Sequence, residues 1–552
     1  MKTAQNIEDL RLELQLEKNK SAEKDEAIAE KDKAISEKNQ KIASQAHMIA
    51  MLIEQIKLAR TRHFASRSEK IHPNQLSLFP EAEMGVAECP IDSDTTETVE
   101  TAEPVAEHTT SATTNTRKKS GRRPLPDYLP RVEVVHELDE SAKQCACGAT
   151  CACIGSDITE QLDIIPMTVQ VIRHVRYKYA CRQCEEGVKI APLPAQPIPQ
   201  SIATAGTLAH VLISKYDDHL PLYRQAEIFE RSDVHISRST LCHWVIKSGQ
   251  LLQPLMPVLQ QNILQYDVGY ADETRVQVLK EPNRTAESQS YMWVFGGGPP
   301  DKRAWIYQYH ASRAGSIPHT FWKDFTGYLH TDAYAGYNGL TQITRVYCWA
   351  HARRRFAEIV KTTKKIGVAH ETLKRIQQLY RLEEQARQAN HTPEQILEMR
   401  QTQSKPLLEK LQVYLIEKAH NTLPQSTLGK AIGYTLNHWD GLLNYLQDGR
   451  LEIDNNRTER CIKPFAVGRK NWLFSHSVSG VEASSVIYSL IETCKANDID
   501  PYEYLRYALE TMPTIDKEDA SALQALLPFE CIPQLARAKA QRVVQPIPTS
   551  AT

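Results

Sequence analysis

At 552 residues, and with roughly 100–200 residues per domain, the chain holds three or four structural units, which excludes a single small binding module. Hydrophobic residues make up 41% and charged residues 24%. No stretch approaches the ~18–20 consecutive apolar residues of a membrane helix, and the opening MKTAQNIEDLRLELQLEKNK has no apolar core. These features exclude a spanning segment or a secretory leader and predict a soluble, cytoplasmic protein. The net charge of −1 argues, as a whole-chain number, against a nucleic-acid partner.

In chain order, the first element is a heptad segment. Ile28, Ile35, Ile42, Ile49 and Ile56 recur every seven residues, with Ile7 and Leu14 in the same register and Ser21 as the one break. A strict period of seven demands a left-handed coiled coil, so residues 1–60 predict self-association into a homo-oligomer. The second seam is interrupted by Glu17, Lys24 and Lys31, which predicts a marginal or partner-assisted coil. A single charged helix held by i,i+4 pairs is the alternative.

Residues 61–130 read as a disordered acidic tether ending in a basic arm. From Pro73 to Thr116 there are nine acidic residues and no Lys or Arg. Arg117, Lys118, Lys119, Arg122 and Arg123 follow at once, in RKKSGRRPLP. Such an arm can lie in a narrow minor groove, where the potential is most negative. Leaving out the tether's nine charges turns −1 into +8, so the near-zero total is a cancellation and does not argue against DNA.

Six of the twelve cysteines crowd into residues 145–184, as CACGATCAC and CRQC. In a reducing compartment that clustering indicates metal rather than disulfides. Structural zinc takes four ligands, usually as two short-spaced pairs. Cys181 and Cys184 supply one pair. Cys145, Cys147, Cys151 and Cys153 offer more than the second needs, and Cys145 and Cys147 are favoured because Gly148 supplies the turn. This zinc-binding domain spans 131–198. Within it, VQVIRHVRYKYAC alternates with period two and predicts a strand with Val171, Arg173, Val175, Tyr177 and Tyr179 on one face. Arg173, Arg176 and Lys178 make it a candidate phosphate surface.

Residues 199–260 predict a helical segment resembling a helix-turn-helix. Two periodic helices flank a polar turn at Ser232 and Asp233, and Arg238 opens the second, where a reading helix presents its contacts. Beyond it, ILQYDVGYADETRVQVL predicts one strand carrying Val268, Tyr270 and Asp272 and a second through Val276 and Val278. TGYLHTDAY predicts another strand, ending at Asp332. In LEIDNNRTERCIKP a helix capped by Asp454 or Asn455 carries Glu459 in its first turns. Three carboxylates on neighbouring strand ends and a helix can hold two hard divalent ions for phosphodiester chemistry.

The motifs ADET at 271–274, HTDAYAGYN at 330–338, CWAHARRRF at 348–356, DNNRTER at 454–460 and GRKNWLF at 468–474 resemble those of the insertion sequence 66 family of bacterial transposases. So do RSEKIHPNQLSLFPEAE at 67–83, the cysteine cluster, SKYDDHLPLYRQ at 214–225, IYSLIETCKANDIDPYEYL at 487–505 and LLPFE at 526–530. The resemblance implies a multidomain α+β protein whose RNase H-like DDE core spans 261–475, followed by a C-terminal helical tail over 476–552. Asp272, Asp332 and Glu459 match the catalytic metal-binding triad. The cofactors implied are two Mg²⁺ ions, with Mn²⁺ as substitute, and a structural Zn²⁺. The 127 residues from Asp332 to Glu459 are too many for one strand and helix, so a helical insertion is expected over 357–450. CACG departs from the usual two-residue gap, which leaves the zinc ligands open.

The reaction implied is binding of the element's terminal inverted repeats, Mg²⁺-dependent strand cleavage and 3′-hydroxyl strand transfer. Double-stranded DNA is then the partner, both as element ends and as target, and accessory proteins of the same element are a further partner class. Arg353, Arg354, Arg460, Arg469 and Lys470 are placed to contact phosphates near the metals. Cys348 and His351 form a C-x-x-H pair that reads as packing within a basic helix, with a second metal as the alternative. Trp472 reads as a stacking platform for an unpaired base or as core. Two rivals remain: a catalytically silent DNA-binding regulator derived from a transposase, and a coiled-coil scaffold.

Overall fold

The computed structural model describes residues 169–180, 188–363 and 367–543, together with part of the segment 15–56. Within 15–56 every described residue is helical, and Ile28, Ile35, Ile42, Ile49 and Ile56 are all exposed. The tether, the basic arm and the six clustered cysteines lie outside the described residues.

Two compact units divide the chain. In the smaller, β1 (Lys178–Ala180) pairs antiparallel with β2 (Val188–Ile190). The strand expected from Val171 is corrected: residues 171–177 lie outside any strand, and Val171, Ile172, Val175 and Tyr177 are exposed. Alternation signals a strand only where a second layer buries one parity. Here both parities face solvent.

From Pro192 on, the larger unit begins with four helices, α1 (Ala205–Tyr216), α2 (Leu222–Glu230), α3 (Arg238–Leu252) and α4 (Leu255–Leu264). Thr204 and Ser237 start α1 and α3 by accepting a backbone N–H three residues on, satisfying donors a helix start leaves orphaned. Then come β3 (Val268–Lys280), β4 (Gln289–Gly297) and β5 (Ala304–His310), followed by the short α5 (Ser316–Phe321), β6 (Gly327–Thr331) and β7 (Ile343–Tyr347). The sheet order is β5-β4-β3-β6-β7, with the first three strands antiparallel and β3, β6 and β7 parallel. The two strands expected through Asp272 and Val278 are one, because β4 pairs with β3 continuously from Tyr270 to Gln277.

After β7 the chain turns helical, with α6 (Trp349–Thr363), α7 (Val368–Gln388), α8 (Pro393–Met399), α9 (Lys405–His420), α10 (Thr427–Asn437) and α11 (Trp439–Leu443). A π-helical turn, Arg400–Ser404, joins α8 to α9. Then α12 (Asn456–Trp472) returns to the sheet and β8 (Ser475–Ser477) pairs parallel with the far end of β3.

The C-terminal helices are α13 (Val478–Ala496), α14 (Pro501–Thr511), α15 (Ala520–Ala525) and α16 (Ile532–Val543). These helices pack back on the sheet. Strand β5 lies at the sheet edge, where unpaired N–H groups need partners, and α13 supplies them. Trp305 N–H donates to Thr493 Oγ1 at 3.0 Å and Tyr307 N–H to Ser489 Oγ at 2.8 Å. Tyr216 on α1 bonds Ser484 on α13 at 2.8 Å, so the helices before the sheet and those after it share one core.

Candidate active site

Asp272 and Asp332 become neighbours through strand register. In the parallel pair β3–β6, Tyr270 stands opposite His330, and each aspartate lies two residues further along its own chain. Gly327 permits this register. Its φ is +136°, and a Cβ there would sit 2.3 Å from the Asp267 carbonyl, which accepts the Tyr328 N–H at 2.9 Å. Asp332 follows the end of β6 as expected, whereas Asp272 is interior to the long β3.

Glu459 arrives on α12, whose start is tied to the same strand. Asn455 is buried, donates to the Ala271 carbonyl at 3.3 Å, and accepts from Thr458 Oγ1 at 2.6 Å. Asp454 accepts the Asn456 N–H at 3.1 Å. The helix thus begins beside Asp272, with Glu459 one turn in. Burial, with the Glu273, Asp332 and Glu459 carboxylates around it, holds the Asp272 carboxyl well above the usual carboxylate range; the Glu273 N–H that it accepts at 2.8 Å opposes the shift. Glu459 Oε1 is closed off from solvent and accepts no hydrogen bond. The carboxylates of Asp272, Asp332 and Glu459 act on one another here, and oxygen donors of this kind suit a hard divalent cation.

Four groups around this set are not among the predicted site residues. Glu273, whose side chain is 1% exposed, accepts from Arg313 Nε at 2.6 Å and from the Tyr337 hydroxyl at 3.1 Å. Burial and Asp332 raise its carboxyl, and Arg313 works against them. The Arg313 guanidinium also lies 3.9 Å from Asp332 Oδ2 and 3.8 Å from the centre of the Tyr334 ring. Tyr334 N–H donates to Asp332 Oδ1 at 2.9 Å, closing a loop that holds Asp332. Glu273 lies inside ADET and Tyr334 and Tyr337 inside HTDAYAGYN, whereas Arg313 lies outside every motif and far away in sequence.

The basic residues divide. Arg354 is exposed and lies 3.4 Å from Glu459 Oε2. Arg353 is half-buried on the same helix, while Arg460 and Lys470 are exposed on α12 and Arg238 at the start of α3. Arg469 is differently engaged: its guanidinium donates to Thr274 Oγ1 at 3.3 Å and to the Arg275 carbonyl, bracing α12 on β3 rather than standing free for phosphate. Trp472 belongs to the core side, covered by Lys215 at 3.9 Å and edge-on to Tyr216. Arg173, Arg176 and Lys178 are exposed in the smaller unit, where Arg176 donates to the Ala191 carbonyl at 3.2 Å. Arg117, Lys118, Lys119, Arg122, Arg123, Cys145, Cys147, Cys181 and Cys184 lie outside the described residues. Among those described, no helix is long and apolar enough to cross a membrane.

Comparison with known proteins gives matches along most of the chain. The transposase IS66 family profile matches residues 200–483, and the zinc-finger binding domain of transposase IS66 matches 142–185. A profile described as transposase C of IS166 homeodomain matches 51–134, and the IS66 C-terminal element matches 489–529. Similar chains include two uncharacterized proteins of Sinorhizobium fredii (strain NBRC 101917 / NGR234). Protein y4jD is 35% identical over 422 residues, 73% of this chain and 81% of the relative. Protein y4qI is 30% identical over 509 residues, 88% and 89% respectively.

Proposed function

The chain belongs to the transposase IS66 family, and from that premise we propose that it binds the inverted repeats of its own element, cuts a strand there and joins the freed 3′-hydroxyl to target DNA. The observation that carries this reading is the β3–β6 register, which sets Asp272 beside Asp332, with Glu459 brought to them by the Asn455 bond to Ala271. Three antiparallel strands followed by two parallel ones, with a helix bearing the last carboxylate, support an RNase H-like core.

Asp272, Asp332 and Glu459 would hold two Mg²⁺ ions, or Mn²⁺ in their place. When bound, the ions supply charge neutralisation at the phosphodiester and acidify the attacking water or hydroxyl. Arg313 holds Glu273 and keeps the Asp332 loop in place. Arg354, exposed beside Glu459, is the nearest side chain for a DNA phosphate. Cys145, Cys147, Cys181 and Cys184 would hold the structural Zn²⁺ of a DNA-binding finger. The arm at 117–123, Arg238 and the exposed Arg460 and Lys470 would extend the DNA contact, and residues 1–60 would pair copies of the chain.

Asp272→Asn should leave element-end binding within about twofold, measured by gel shift, and lower Mg²⁺-dependent cleavage by at least ~10³-fold. Cleavage at the wild-type rate would refute the assignment.

A further inference from the structure

We propose that Cys348, His351 and Glu459 form a second cation site, suited to a borderline-soft transition ion of the zinc class, and that filling it withdraws Glu459 from the magnesium-type site. One ligand atom from each residue lies within 4.8 Å of the other two. Zinc bonds of about 2.0–2.3 Å set tetrahedral ligands ~3.3–3.8 Å apart, so the side chains need close by only about 1 Å.

The backbone builds this site from two helix starts. Cys348 lies between the end of β7 and the first residue of α6, and His351 follows one turn later on the same side. The start of α12 is laced to it: Trp349 N–H donates to the Ile453 carbonyl at 3.2 Å, and Asn455 N–H donates to Cys348 Sγ at 3.2 Å. Burial and the Asp454 carboxylate push the Cys348 thiol well up, the Asn455 and His351 N–H groups oppose that shift, and a bound cation would supply the charge that holds the thiolate.

Two atoms here lack partners. His351 Nδ1 and Glu459 Oε1 are each closed off from solvent and make no hydrogen bond. The nearest approach between the two side chains, His351 Nε2 to Glu459 Oε1, is 3.8 Å, too long for one. Sulfur, imidazole and carboxylate together select zinc over magnesium, and three protein ligands leave a fourth position open. Glu459 cannot serve both ions, so zinc occupancy opposes cleavage; that consequence, unlike the site itself, rests on the transposase reading.

The test is zinc content per full-length chain by elemental analysis, after dialysis against micromolar zinc, for the wild type, His351→Ala and Cys348→Ser. The clustered cysteines contribute equally to all three. Each variant should carry one zinc fewer, and cobalt-loaded Cys348→Ser should lose thiolate-to-cobalt absorption. Equal zinc in folded wild type and in either folded variant overturns the site; folding is checked by circular dichroism, and one folded variant suffices. Zinc added to a magnesium-driven cleavage reaction should slow the wild type at least ~10-fold, and an unchanged rate overturns the competition. A wild type that never cleaves counts against the transposase reading, while the DNA-free zinc count still decides the site.

Discussion

Asp272 and His330 lie on adjacent strands and respond to pH in opposite senses. The native state holds the Asp272 proton more tightly than the unfolded chain does, because burial and neighbouring carboxylates disfavour the anion. Stability therefore falls as pH rises above the ordinary carboxylate range. Asp272→Asn removes that cost and should raise the metal-free melting temperature at pH 8 by ~1–3 °C, while abolishing any further rise on adding Mg²⁺. His330 is fully buried, stacked on Tyr270 at 4.9 Å, and burial pulls its pKa down to about 4. The unfolded imidazole takes up a proton near pH 6.5 and the native one does not, so stability is complete above that pH and is lost as pH falls toward 4. His330→Phe keeps the stack and should flatten that slope, which spans roughly 2–3 kcal/mol, in urea titrations between pH 6.5 and 4.

At the scale of elements, two contacts decide how the helices pack. A Cβ on Gly249 of α3 would lie 2.6 Å from the Ala483 Cβ on α13. Gly249→Ala gains up to ~1 kcal/mol of helix propensity, yet overpacking costs ~1–3 kcal/mol. The net should be destabilising by urea denaturation, and Gly249→Val more so. Arg400 is 2% exposed inside the π-helical turn, pairs with Glu383 at 2.7 Å, and donates to the carbonyls of Tyr445, Asp448 and Leu451. It thereby anchors the segment leading into Asp454 and Glu459. Arg400→Ala leaves Glu383 and three carbonyls without their partner and should cost ~3–5 kcal/mol, with cleavage falling more than end binding.

At the scale of the molecule, the helices after residue 476 complete the sheet edge. Deleting 476–552 should therefore abolish cooperative unfolding of the whole larger unit, since β5 loses the hydroxyls of Ser489 and Thr493 that its backbone donors require. Deleting 1–60 should instead leave that transition intact and reduce the self-association measured by sedimentation.

Much of the site was legible in the sequence because its signals are local. A carboxylate on one parity of a strand and an Asp-Asn helix start before Glu459 are each read within one turn or one strand. The family motifs bind these into an ordered set, and the nine acidic residues between Pro73 and Thr116 explain the misleading net charge of −1. What the tertiary structure alone decided are the partners that meet across long separations. Arg313 reaches Glu273 and Asp332, Arg469 is committed to the backbone of β3, Trp472 turns inward beneath Lys215, and α13 closes the sheet edge. None of these leaves a period or a spacing in the chain, because strand register and helix packing are chosen by which surfaces and unpaired backbone groups the whole fold must bury.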